Sequence, residues 1–121
     1  MINFFGGMKM NSIHELTSLE DWWDLWRQSM HSPVLVFKHS TSCMISSRAF
    51  KHLRNFQKVG GGIVDCYMVK VVESRRISNE IAKVTNIPHK SPQLLLIDKQ
   101  QIIWHTSHWK ITKKRIQKAI C

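Results

Sequence analysis

Cys43 stands in "HSTSCMISSRAF", residues 39–50, with small polar residues before it and the start of a helical pattern after it. A thiol at a helix N-terminus faces unpaired backbone N–H groups and the positive end of the helix dipole, and both favour the nucleophilic thiolate. The polar setting "STSC" argues for an accessible thiol rather than an inert, packed one. Three residues on, where a dithiol motif would carry a second cysteine, the chain has Ser46. A serine there can donate a hydrogen bond to the thiolate but cannot close a disulfide. A mixed disulfide on Cys43 must then be resolved by another thiol, most simply a small one from solution. His39 and Lys38 precede Cys43 closely and can add positive charge, but spacing alone does not make His39 a base.

The other reactive side chains point to less. Cys43, Cys66 and Cys121 are too few and too unevenly spaced for a disulfide framework, and no two form a CxxC pair that could hold zinc. Cys66 reads as a packed or partly exposed thiol opening a strand; Cys121, the last residue, could at most resolve a disulfide, and no prenylation box precedes it. In "WHTSHW", His105 and His108 lie beside Trp104 and Trp109. A His-x-x-His pair with no cysteine or carboxylate beside it is weak evidence for a metal, so no metal is expected and a structural or substrate-contact role reads better.

The elements that must position Cys43 follow from periodicity. Thr17 and Glu20 stand at capping-box spacing, and Leu19, Trp22, Trp23 and Trp26 follow at i, i+3, i+4 and i+7, which predicts an amphipathic helix over about 18–30 with its tryptophans in the core. "VLVFK" after Pro33 is a continuous apolar run, as in a strand covered on both faces. Ile45, Ala49, Leu53 and Phe56 repeat at helical spacing up to Gly60-Gly61-Gly62. "CYMVKVVE" reads as the next strand; Ile77, Ile81 and Val84 mark a helix ending near Asn86 and Pro88. "PQLLLID" and "QIIWHTS", joined around Lys99 and Gln100, predict an antiparallel hairpin, and a basic helix over about 110–120 buries Ile111, Ile116 and Ile120. The order αβαβαββα gives an α/β class with a mixed four-stranded sheet flanked by helices, the layout of the thioredoxin fold. Cys43 then lies past the end of the first predicted strand, in the first turn of the following helix, where chemistry in open α/β sheets gathers. Pro92 opens a strand at the place where thioredoxin-like proteins carry a cis-proline facing the active cysteine, and the Ser91 backbone beside it could pair with an incoming substrate strand.

Length and charge bound the partners. At 121 residues the chain is expected to be a single domain over 1–121, with residues 1–11 a loose N-terminal extension ahead of the periodic pattern. Translation could begin at Met1, Met8 or Met10. With no 20-residue apolar span and no signal-peptide pattern in "MINFFGGMKMN", a cytosolic location is expected. The formal charge is +10, but residues 1–37 hold about −2 and the remainder about +12, densest at Lys110, Lys113, Lys114, Arg115 and Lys118. A basic final helix can bind nucleic acid, but it reads better as a solvated face.

"VFKHSTSCMISSRAF", "SNEIAKVTNIPHKSPQLLLI" and "WHTSHWKIT" together resemble the bacillithiol-system thioredoxin-like family, the monothiol bacilliredoxins, over roughly residues 12–120. The resemblance implies a thioredoxin fold, a cytoplasmic location and a thiol-disulfide oxidoreductase of CxxS type that removes bacillithiol from S-bacillithiolated proteins. Cys43 would be the attacking cysteine of the TCxIS-type motif, Ser46 would stand where a resolving cysteine stands elsewhere, and Pro92 would be the cis-proline. Thr41, Ser42, Met44 and Ser91 would complete the substrate side. Met44 departs from a pattern in which proline is frequent, and it bears on thiol reactivity and access. Bacillithiol would be the thiol co-substrate, and bacillithiol itself or a bacillithiol disulfide reductase system would regenerate the enzyme. Two other classes stay open: a thioredoxin-like binding module without turnover, and a basic nucleic-acid-binding protein.

Overall fold

The computed structural model describes residues 12–60 and 64–120. The expected N-terminal extension, the alternative start sites, Gly61, Gly62 and Cys121 lie outside the described residues. Five strands, β1 (Ile13–Glu15), β2 (Val34–His39), β3 (Asp65–Lys70), β4 (Gln93–Asp98) and β5 (Gln101–Ser107), form one sheet in the order β1-β3-β2-β4-β5. Four helices, α1 (Leu19–Gln28), α2 (Met44–Gly60), α3 (Arg75–Thr85) and α4 (Lys113–Ile120), accompany it.

β2 is central, and all six of its residues are buried, which is why Val34–Phe37 form a continuous apolar run rather than an alternation, with Lys38 and His39 buried after it. It pairs parallel with β3 and antiparallel with β4, so the sheet is mixed as expected. Its alternating side chains feed two cores. Val34 and Val36 pack with Trp22, Ile77 and Ile81, while Leu35 and Phe37 pack with Leu53, Phe56 and Ile116. Trp22 is fully buried and Trp23 and Trp26 pack against the same cluster, so the tryptophan face of α1 is core.

Three details correct the sequence reading. The sheet has five strands rather than four: β1 lies parallel to β3, with Ile13 opposite Cys66. At three residues it is too short for any periodicity and exists through its distant partner. The capping box of α1 sits one residue later than read, on Ser18 and Asp21: Asp21 N–H donates to Ser18 Oγ at 3.0 Å, and Ser18 N–H to Asp21 Oδ2 at 3.2 Å. Finally, the terminal basic segment is not one helix over 110–120. A 3-10 turn spans His108–Lys110, Ile111 is buried as an extended link, and α4 follows. The β4–β5 hairpin does turn at Lys99 and Gln100, both at positive φ (52° and 58°), as a two-residue turn matched to strand twist requires.

A candidate active site at the end of β2

β2 ends at His39, and four residues carry the chain into α2. Cys43 holds this turn at both sides: its N–H donates to Ser40 O at 3.1 Å, and its carbonyl accepts Ser47 N–H at 2.9 Å. It is therefore the residue that caps α2, one position before the first turn, and its thiol is half-buried. Thr41, Ser42 and Met44 around it are exposed, Met44 at 88%.

Ser46 is fully buried beneath this turn. Its Oγ accepts Ser40 N–H at 2.9 Å and lies 2.6 Å from His39 Nδ1. The hydrogen bonds of Ser46 thus run inward to the end of β2, where they tie the turn to the sheet, and not to Cys43. His39 is itself buried, stacked on Phe37 and Phe50 at ring-centroid distances of 5.3 and 5.1 Å. Burial, aided by the Lys70 cation, holds its pKa below the ordinary imidazole value, with Glu73 opposing. Lys38 takes the opposite face of the strand. Its ammonium is buried against α3, donating to Ser78 O at 3.0 Å and lying 3.2 Å from His89 Nδ1, and desolvation brings its pKa down to about 8. Neither residue adds its charge to the thiol through a direct contact; both are fastened into the interior.

The segment before β4 lies at the same end of the sheet. The Ser91–Pro92 peptide bond is cis. Register places Gln93 opposite Lys38, so Pro92 stands level with the end of β2, and its carbonyl accepts His108 N–H at 3.0 Å. That bond brings the "WHTSHW" segment to the same end of the molecule. Trp109, 60% exposed, lies under the Arg48 guanidinium of α2 at 5.1 Å. The sequence alone relates Trp109 only to its neighbouring histidines, because no spacing rule links two residues 61 positions apart. Among the described residues no group of three or more His, Cys, Asp and Glu is placed to hold a metal. Cys66 is different in kind from Cys43: it is 1% exposed, and burial, with help from Asp65, pushes its thiol up to about 12.

A half-buried thiol caps a helix at the end of the sheet where the cis-proline lies, and Ser46 stands where the next helical turn would place a second thiol. A family model described as monothiol bacilliredoxin BrxC matches residues 14–116. The chain belongs to the monothiol bacilliredoxin family. Among solved structures it is similar to one described as an oxidoreductase candidate with a thioredoxin fold, at 28% identity and a TM-score of 0.80, covering 88% of this chain and 92% of the other. Fasciola hepatica thioredoxin is 12% identical with a TM-score of 0.73, over 89% of this chain and 96% of that one. Mitochondrial thioredoxin 3 from Saccharomyces cerevisiae is 22% identical with a TM-score of 0.69, over 92% and 95%. The latter two establish the fold alone. This bacilliredoxin therefore has a thioredoxin fold and a thiol-disulfide redox role.

Proposed function

We propose that this chain is a monothiol oxidoreductase of CxxS type that removes bacillithiol from S-bacillithiolated proteins through Cys43. The Cys43 thiolate attacks the bacillithiol sulfur of the mixed disulfide. A Cys43–bacillithiol disulfide forms, the bond to the target protein breaks, and the target leaves as its thiolate. A second bacillithiol thiolate, or a dedicated reductase, then attacks the bacillithiol sulfur held on Cys43 and returns Cys43 as thiolate; with bacillithiol the other product is its symmetric disulfide. Thr41, Ser42 and Met44 border the thiol, and Ser91 with Pro92 supplies backbone against which an extended target segment can lie. The reaction is assigned to the cytoplasm, where thiol pools keep such a cysteine reduced. No described helix is long and apolar enough to cross a membrane.

The observation that carries the reading is the contrast between the two described cysteines. Cys43 is accessible on the α2 cap, Cys66 is sealed in the core, and the position three residues after Cys43 is a buried serine. The test is intact-mass spectrometry of reduced protein mixed with a bacillithiolated model protein, followed by peptide mapping. The expected result is one bacillithiol on Cys43 with release of the target thiol, and no transfer by Cys43→Ser. An unmodified Cys43 beside a still-modified target would replace this reading with a binding module of thioredoxin fold.

A further inference from the structure

A cavity of about 260 Å3 opens at the β5 edge of the sheet. None of the side chains lining it is acidic, and three cations reach it from separate segments: Lys90 before β4, Lys110 after β5 and Arg115 on α4. His105 of β5 lines it too. Among the described residues none of the three cations makes an ion pair. Convergence from three segments onto one concavity differs from a charge run spread along a solvated helix face. Positive groups held together without a counter-charge repel one another, and an anion between them relieves that repulsion.

A second feature of the cavity demands the opposite partner. Gln93 lines it and is 1% exposed. Its Nε2 donates to Pro88 O at 3.0 Å, but its Oε1 is buried with no hydrogen-bond partner. A buried acceptor left unmatched costs free energy that a hydroxyl or amide hydrogen recovers. The occupant that answers both demands carries carboxylates for the cations and a hydroxyl or N–H for Gln93.

The cavity lies at the same end of the sheet as the thiol site. Gln93 directly follows Pro92 and pairs with Lys38 of β2, while Ser107 pairs with Gln93 on the other side. β5 is thus two strand spacings, about 10 Å, from β2. Bacillithiol is a cysteine joined to glucosamine joined to malate: its sulfur is at one end, its two malate carboxylates at the other, and sugar hydroxyls lie between. We propose that this cavity seats the malate end of bacillithiol, with Lys90, Lys110 and Arg115 on the carboxylates and Gln93 Oε1 accepting from the glycoside, while the sulfur reaches Cys43. This assignment rests on the reading of Cys43 as the debacillithiolating thiol, and it makes the cavity the device that selects bacillithiol over less acidic thiols.

Two measurements separate the cavity from the chemistry. In the first, the thiol-free glycoside glucosaminyl malate is titrated into the Cys43→Ser protein, with backbone amide shifts followed by NMR. Shifts should cluster at Lys90, Gln93, His105, Lys110 and Arg115. Lys110→Gln and Arg115→Gln should each weaken binding about tenfold, as loss of a charge-assisted hydrogen bond does. Lys83→Gln, which removes the same charge from an exposed position outside the cavity, should leave it unchanged. In the second, the mixed disulfide on Cys43 is resolved with bacillithiol or with cysteinyl-glucosamine lacking malate. Bacillithiol should be faster, and the advantage should vanish in the Lys110→Gln/Arg115→Gln protein. Equal rates and no shifts, with Cys43 still exchanging, would overturn the cavity assignment and leave the Cys43 chemistry standing. Binding in the cavity without exchange at Cys43 would retain an anionic-glycoside site and sink the debacillithiolation reading. Equal binding of free malate would overturn the glycoside assignment in favour of a general dicarboxylate site.

Discussion

The residue beneath the nucleophile does work that a resolving cysteine could not do in the same way. Ser46 Oγ receives Ser40 N–H and meets His39 Nδ1, so one hydroxyl satisfies two polar groups at the buried end of β2. Ser46→Ala orphans both. The expected cost is about 1–3 kcal/mol, read as a lowered urea midpoint, because a buried donor without a partner retains its full desolvation penalty. Transfer of bacillithiol to Cys43 should remain measurable in the same variant, because the Ser46 hydroxyl is turned toward His39 rather than the thiol. An unchanged urea midpoint with abolished transfer would reverse the two roles and make Ser46 a direct partner of the sulfur.

At the scale of elements, α1 shows how much a few local contacts decide. Ser18 and Asp21 bond reciprocally at its N-terminus, and Thr17 N–H also donates to Asp21 Oδ2 at 2.9 Å, which holds that carboxyl below its ordinary pKa. Ser18→Ala should cost about 1 kcal/mol in thermal or urea unfolding, while Thr17→Val, the neighbour one residue earlier, should cost less. Thr17 with Glu20 and Ser18 with Asp21 have the same spacing; only the start of the backbone turn, with Trp22 N–H donating to Ser18 O, distinguishes them. Legibility elsewhere followed the same rule. β2, α2 and the β4–β5 hairpin were readable because their signals lie within the segment itself: a continuous apolar run, a 3.6-residue repeat, and a short polar turn. β1 was not, because its pairing partner is more than fifty residues away. At the candidate site, the position of Cys43 just ahead of α2 and the cis Ser91–Pro92 bond were readable from motif and topology. The inward bonding of Ser46, the Arg48–Trp109 pair and the cavity around Gln93 were not, because each depends on where side chains from distant segments meet.

Across the whole molecule, charge is divided: Glu15, Asp21 and Asp24 share a cavity between β1 and α1, while the uncompensated cations converge at the β5 edge. Buried titratable groups add a pH dependence of stability whose sign can be worked out. His39, His52 and His89 all have pKa values below the ordinary 6.5, with burial the main cause in each. The unfolded chain therefore binds protons that the folded chain refuses, and stability should be lost as pH falls below about 6.5. Lys38 acts in the same sense at higher pH. Its pKa drops from 10.5 to about 8, so between those values the folded state has released a proton that the unfolded state keeps, and stability rises with pH. Cys66, raised from 9.0 to about 12, and Tyr67, raised from 10.0 to about 12, act in the reverse sense, since above 9 the unfolded chain is the one that releases protons. Urea unfolding across the range should therefore show stability rising by about 1 kcal/mol from pH 8 to 9, holding level to about 10 and then falling. In Lys38→Met the rise should disappear and the fall above 9 should stand alone. A rise that survives in Lys38→Met would mean that the Lys38 ammonium is better solvated than its contacts with Ser78 and His89 indicate, and that another group couples folding to alkaline pH.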